Sequence, residues 1–439
     1  MNNSYARLEV LYNSVDERNL NFLQNLYDED ILLDRIKKLF GNTFNNIEGK
    51  RILIKPNWVK HPTVPTDKWC LCTNENLIYV TVKFLLCKKP SKIIIGDSPI
   101  QGCNWQLLLS EEFINKIKSL SNNSGVDIII KDFRRVVFNP IKNIKQDIGN
   151  SLSEYVIFDM KEKSYLEPIS DKKNKFRVTC YNPDRLALSH SKGVHKYCIA
   201  KDVFDSDVVI TMPKMKTHQK AGITNAMKIL VGINGDKDFL PHHRIGAKGY
   251  GGDCYPGKNI FRSVSEWILD NANRNIGNIF YKPLLYLSNV FWKISRPTKE
   301  QNLAAGWYGN DTVWRMVMDL NYIAQYGKAD GSLNEMPQRF IYTLSDGIIG
   351  GQGNGPLSPE PLSLGILAFS NNSYWMDLIM GYLFSLNISK IPNLKAAKDL
   401  LNLEECELYI NGKNSCIKDL KPYSVKVKMS PGWENYDRK

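Results

Sequence analysis

No two of the nine cysteines have the C-x-x-C spacing, which excludes the usual zinc-ribbon and ferredoxin ligand patterns. Cys70 and Cys72 form a C-x-C, and the other cysteines are scattered singly, a usage that points to a reducing compartment. No run of about 18 uncharged apolar residues occurs, so no transmembrane helix is expected. The opening MNNSYARLEV has no apolar signal region, and the expectation is a soluble, cytoplasmic protein. Walker A, G-x-S-x-G, H-E-x-x-H and G-x-G-x-x-G patterns are all missing, which removes P-loop, α/β-hydrolase, zincin and dinucleotide-fingerprint readings. Acidic residues are in deficit: 45 Asp and Glu face 58 Lys and Arg, a net charge of +13. Such an excess favours anionic partners, whether phosphorylated or carboxylated small molecules, nucleic acid or an anionic membrane surface.

What is present is ordinary globular composition, 43% hydrophobic and 23% charged over 439 residues, enough for several domains of about 100–200 residues. Residues 1–45 have a helical rhythm (Leu20, Leu23, Leu26; Leu32, Ile36, Leu39, Phe40). Strand-like and helix-like runs then alternate: RILIKPN (Arg51–Asn57), a helix from Asn74, KIIIGDSP (Lys92–Pro99), a helix over Trp105–Leu120, VDIIIKDF (Val126–Phe133). Short β-branched runs between helices predict an α/β fold, a mostly parallel sheet with helices on both faces. Residues 150–202 read as a β-rich elaboration, DVVITMPK (Asp207–Lys214) as a buried strand, and 240–335 as a helical, loop-rich insertion or cap. The resulting divisions are 1–45, a core in two parts (46–239 and 336–402), the 240–335 insertion and a strand-rich tail, 403–439. IFYKPLLYLSNVFWKI (Ile279–Ile294) is too short to span a bilayer and reads as a buried or amphipathic helix, with interfacial membrane contact as the alternative.

Ligands of α/β sheets bind outside the carboxyl ends of the strands. There the sequence places Pro56-Asn57-Trp58 after Lys55, then Gly96-Asp97-Ser98, then PKMKTH from Pro213, then Ser345-Asp346-Gly347 and a glycine-rich stretch. In an extended PKMKTH, Lys214, Lys216 and His218 share one side. Residues 220–231 read as a helix with Lys220, Thr224 and Lys228 on one stripe, its N-terminus adding partial positive charge. This arrangement suits a compact anion; a solvated lysine face is the plainer alternative. GGQGNGP, including Gly351 and Gly353, reads as a loop that allows close backbone approach to a ligand.

DKDFLPHHRIG crowds Asp236, Asp238, His242, His243 and Arg244 into one turn. With His218, Asp97 and Asp346 it could form a His/Asp metal site or a general acid–base pair.

ILIKPNW (Ile52–Trp58), IIIGDSP (Ile93–Pro99), VVITMPKMKTHQKAGITNAMKILVGI (Val208–Ile233), SDGIIGGQGNGP (Ser345–Pro356) and WMDLIMGYLFSLNISKIPNLKAA (Trp375–Ala397) together resemble the domain of unknown function 362 family. The resemblance runs in order over most of residues 50–400 and implies an α/β fold, a prokaryotic cytoplasmic setting and no settled activity. AAGWYGNDTVWRMVMDLNYI (Ala304–Ile323) also looks like a family segment, with Trp307, Asn310, Asp311, Arg315 and Asp319 as polar candidates. Some members carry ferredoxin-type cysteine clusters; those are missing here, so no iron–sulfur cluster is expected. More remotely, the chain is similar to lactate racemase and its nickel-pincer relatives. In these a histidine precedes the cofactor-bearing lysine by ten residues, as His218 precedes Lys228, but the small glycine-rich turn between them is here ITNA.

The expectation is therefore an enzyme acting on an anionic small molecule. Lys55, Asn57, Lys214, Lys216, Lys220, Thr224, Gly351 and Gly353 would bind substrate. His218, His242, His243 and Lys228 would do chemistry, and Asp97 and Asp346 would orient groups or hold a divalent metal. A nickel-pincer-type racemase and a non-catalytic nucleic-acid or metal-cofactor binder are the alternatives.

Overall fold

The computed structural model describes residues 3–139, 144–147, 150–171, 175–295 and 305–433. The chain is α/β. Its main sheet has eleven strands: β1 (Ser4–Val10), β2 (Arg51–Pro56), β3 (Lys92–Asp97), β4 (Asp127–Asp132), β5 (Val208–Met212), β6 (Lys214–His218), β7 (Gly222–Thr224), β8 (Phe340–Asn354), β9 (Ser358–Ser370), β10 (Cys406–Ile410) and β11 (Lys413–Ser415). The order is β11-β10-β1-β9-β8-β5-β2-β3-β4, with β6 also pairing with β8 and carrying β7. From β8 to β4 every neighbour along that path is parallel. β9 runs antiparallel to both β8 and β1.

Strand residues alternate between two cores because side chains on a pleated strand point to opposite faces. Ile52, Ile54, Ile93, Ile95, Val208 and Ile210 face a core closed by the helices Glu29–Phe40, Glu75–Leu86 and Glu111–Ser124. Leu53, Ile94 and Val209 face the other, closed by the helices Val313–Tyr326, Ser373–Leu383 and Pro392–Leu400 and by the 155–200 elaboration. A sheet covered on both faces needs apolar residues at successive positions, hence the unbroken Ile52-Leu53-Ile54 and Ile93-Ile94-Ile95. The helices start where side chains cap them: Asn74 accepts from Asn76 N, and Ser110 accepts from Phe113 N.

Three expectations change. Residues 4–10 are a strand inside the sheet, ahead of the helices expected in that region. Residues 220–231 are not a helix: β6 turns at Lys220–Ala221 into β7, and a six-residue 3-10 turn, Lys228–Ile233, follows. Gly222 has φ +79°, in the left-handed region that stops a helix, and Thr224 pairs across the hairpin with Lys216. The glycine-rich stretch is not a loop, because β8 runs through it to Asn354.

No described helix is long and apolar enough to cross a membrane. The helix Tyr281–Ile294 packs on the helix Ile260–Arg274, and the pair with the turn between them leaves Trp267, Ile279, Phe280 and Tyr286 exposed.

Candidate functional site

The carboxyl ends of β2 and β3, the hairpin β6–β7 and the segment from Lys228 to His243 meet at one place. The 228–237 segment lies against the strand ends: Ser98 N donates to Gly232 O at 2.9 Å, and Lys237 Nζ donates to Ser98 O at 3.1 Å and to Ser98 Oγ at 3.2 Å. Gly232 is required by contact, since a Cβ there would lie 2.0 Å from Asp97 Oδ1 and 2.5 Å from Lys55 Nζ. Upstream, the backbone before Lys228 is pinned from below. Asp377 accepts from Met227 N, Asn321 Nδ2 donates to Met227 O at 3.0 Å, and Ser345 Oγ donates to Asn225 Oδ1 at 2.8 Å.

This gathers Lys55, Lys216, Lys220, Lys228 and Lys237. Among the described residues only Lys55 has a carboxylate within ion-pair distance, Asp97 at 2.6 Å. Lys216 Nζ donates to Leu71 O at 2.5 Å, and Lys220 Nζ to Thr179 Oγ1 at 3.3 Å. Lys228 has neither a hydrogen-bond nor an ion-pair partner among the described residues. Burial, then the neighbouring ammonium groups of Lys237, Lys55, Lys216 and Lys220, push Lys228 down to about 7. Burial pushes Lys216 and Lys237 down to about 8 each and lowers Lys220 and Lys55. Uncompensated cations in a low-dielectric interior are costly, and an anion relieves that cost. Two further polar atoms wait nearby without partners: Thr224 Oγ1, on the residue across the hairpin from Lys216, and Asn57 Oδ1 at the end of β2.

Two histidines complete the site. His218 Nδ1 accepts from the N–H groups of Lys220 (3.0 Å) and Ala221 (3.1 Å). That nitrogen is therefore unprotonated, and the neutral ring carries its proton on Nε2. His242 Nδ1 lies 2.7 Å from Leu240 O and must donate to it, leaving Nε2 as an acceptor. Burial and the surrounding lysines hold both rings well below the ordinary imidazole range, so both are neutral at pH 7. One offers an N–H and the other a lone pair, the complementary forms a proton transfer needs.

The remaining sequence-derived residues have other parts, some beside the site and some away from it. Lys214 and Asp346 pair at 2.5 Å in full burial, and Asp346 also accepts from Tyr27 OH (2.7 Å) and Asn74 N (3.0 Å). Asp97 accepts from Trp58 N and Ser98 N as well as pairing with Lys55. A lysine ammonium stands where a cation would bind to Asp97 or Asp346, so the geometry makes both lysine partners rather than metal ligands. Gly351 and Gly353 serve strand packing. A Cβ on Gly351 would lie 2.8 Å from Lys216 Cβ, and Gly353 O accepts from Thr217 Oγ1 at 3.0 Å. Asp236 pairs with Arg135 at 3.2 Å and Asp238 with Arg185 at 3.6 Å. Asn310 Nδ2 donates to His242 O at 2.9 Å, so that family segment supports the wall of the site. His243 turns toward Cys254 and Glu266.

Sequence reasoning missed Lys237, which sits between the two aspartates it singled out. It also missed Cys254 and Glu266, which only the folded chain brings to His243. A cleft lined by Arg7, Asp207, Arg339 and Tyr374 lies at the opposite ends of the strands. A phosphate-sized anion needs little volume, so charge rather than width marks the site.

The fold and site together define an α/β protein with a cluster of buried and half-buried lysines at its strand ends. The chain belongs to the DUF362 family, a domain of unknown function, whose family model matches residues 160–381. A thylakoid-associated protein of Synechocystis sp. is 23% identical over 235 residues, 53% of this chain and 48% of that protein. The chain thus matches about half the length of that relative. Among solved structures, a crystal structure of a Thermotoga maritima protein aligns over 85% of this chain and 59% of that one, at 8% identity and a TM-score of 0.33.

Proposed function

We propose that the chain is an enzyme acting on a small molecule that bears a phosphate or carboxylate. The observation that carries this reading is the group of four ammonium side chains, Lys216, Lys220, Lys228 and Lys237, that lie at the strand ends with no carboxylate in ion-pair distance among the described residues. In this reading Lys216, Lys220 and Lys228 hold the anion with Thr224 Oγ1, and Asn57 Oδ1 accepts from a substrate hydroxyl. His218 donates its Nε2–H and His242 accepts at Nε2. Nine free cysteines suit a cytoplasmic setting.

Calorimetric titration with inorganic phosphate, and separately with small carboxylates, tests the proposal. Losing an ion pair to a desolvated anion costs about 2–5 kcal/mol, so Lys228→Met is expected to weaken binding by at least about 30-fold. Absence of binding to either anion, or equal affinity in the variant, rejects the assignment.

A second reading draws on one specific observation. A lysine that carries a covalent cofactor has to present a free amine, and Lys228 is unpartnered with its pKa near neutrality. A non-protein mass on the peptide containing Lys228, in protein purified from its source, would favour that reading; an unmodified peptide would leave the non-covalent one.

A further inference from the structure

We propose that His243, Cys254 and Glu266 form a binding site for one zinc-class divalent ion beside the lysine cluster. Their ligand atoms lie within 4.8 Å of one another. Zinc bonds of about 2.0–2.3 Å in a tetrahedron set ligand atoms about 3.3–3.8 Å apart, so the three side chains close by at most about 1.5 Å through rotamer adjustment.

Three segments are held together here. His243 pairs with Arg177 in a two-residue ladder, Cys254 N donates to Gly246 O at 3.1 Å, and Gly246 N donates to the carboxylate of Glu266, Oε2, in the helix Ile260–Arg274 at 3.1 Å, which orients that side chain. A second observation is independent of proximity. His243 is only 5% exposed, and its buried Nδ1 has no hydrogen-bond partner. A buried imidazole nitrogen without a partner is costly, and a metal ion satisfies it. Thiolate, imidazole and carboxylate together select zinc over magnesium or calcium, which take oxygen ligands.

Binding displaces the Cys254 thiol proton, and any proton on the Glu266 carboxyl, to solvent, and the thiolate and carboxylate charges balance the ion. Three protein ligands leave a fourth position open, the pattern of sites that bind water or substrate rather than purely structural ones. Lys220 and His242 act electrostatically on His243, so the site borders the lysine cluster. The inference does not rest on the anion reading, because metal uptake is measured with no phosphate or carboxylate present.

The full chain, stripped with EDTA and exchanged into chloride buffer, is titrated with Zn²⁺ and, in parallel, with Co²⁺. The expected result is one equivalent of retained zinc by elemental analysis, and for cobalt a thiolate-to-metal charge-transfer band with intense visible bands of a tetrahedral site. Cys254→Ser removes the charge-transfer band, and His243→Ala and Glu266→Gln each weaken uptake at least tenfold, with circular dichroism confirming that the variants fold. The cobalt spectrum of the unaltered protein decides thiolate ligation without any variant. No stoichiometric uptake, a cobalt spectrum without thiolate character, or a charge-transfer band that survives Cys254→Ser overturns the proposal.

Discussion

Lys214 and Lys228 are the same side chain in opposite situations. Lys214 is fully buried but matched by Asp346 at 2.5 Å, whereas Lys228 is unmatched among the described residues. Removing one partner of a buried pair costs about 3–5 kcal/mol. Asp346→Ala is therefore expected to lower urea stability by that amount, while Lys228→Met leaves it unchanged or raises it. The sequence showed which lysines cluster after one strand, and the alternation of β6 put Lys214, Lys216 and His218 on one side. It could not show which ammonium has a carboxylate waiting, because Asp346 arrives from a strand more than a hundred residues later. For the same reason Cys254 and Glu266 had no signal: no spacing rule links them to His243, and only the turn after the His243–Arg244 strand and a helix face bring them together.

At the scale of elements, β8 carries its glycines for its neighbour. Cβ atoms at Gly350 and Gly351 would lie 2.8 Å from Met215 O and from Lys216 Cβ, so β6 approaches β8 more closely than side chains allow. Overpacking of this kind costs about 1–3 kcal/mol. Gly351→Val is expected to destabilise the fold by that amount, measured by urea denaturation, and to weaken phosphate binding by pushing Lys216 out of place. Retained affinity at reduced stability would show that Lys216 is not needed for the anion. The isoleucine-rich strands were legible because burial on both faces demands unbroken apolar runs. The glycine stretch misled because glycine is permissive in a loop and also necessary where two backbones crowd, and composition does not separate these. The 220–231 segment misled similarly: Ile223, Met227 and Leu230 have helical spacing, yet Gly222 and the hairpin pairing override it.

For the whole molecule, the proposed anion site would couple protons to ligand. Lys228 near 7 and Lys216 and Lys237 near 8 lose charge in the free protein as pH rises through that window. An anion binds the charged forms and raises their pKa values, so its stabilisation is complete below the window and fades above it. Sulfate remains a dianion throughout. Its effect on Tm is expected to be larger near pH 7 than near pH 9, with the difference reduced in Lys228→Met. An equal effect at both pH values would mean that these lysines do not meet the ion.

β1 pairs Ala6 with Ser370 on one side and with Leu408 on the other. A ribosome makes Ala6 364 residues before Ser370 and 402 residues before Leu408. Until those distant segments emerge, the strand has two open edges and nothing native to join, the kind of long-range closure that slows folding and invites aggregation. A strand made early is thus among the last to find its place.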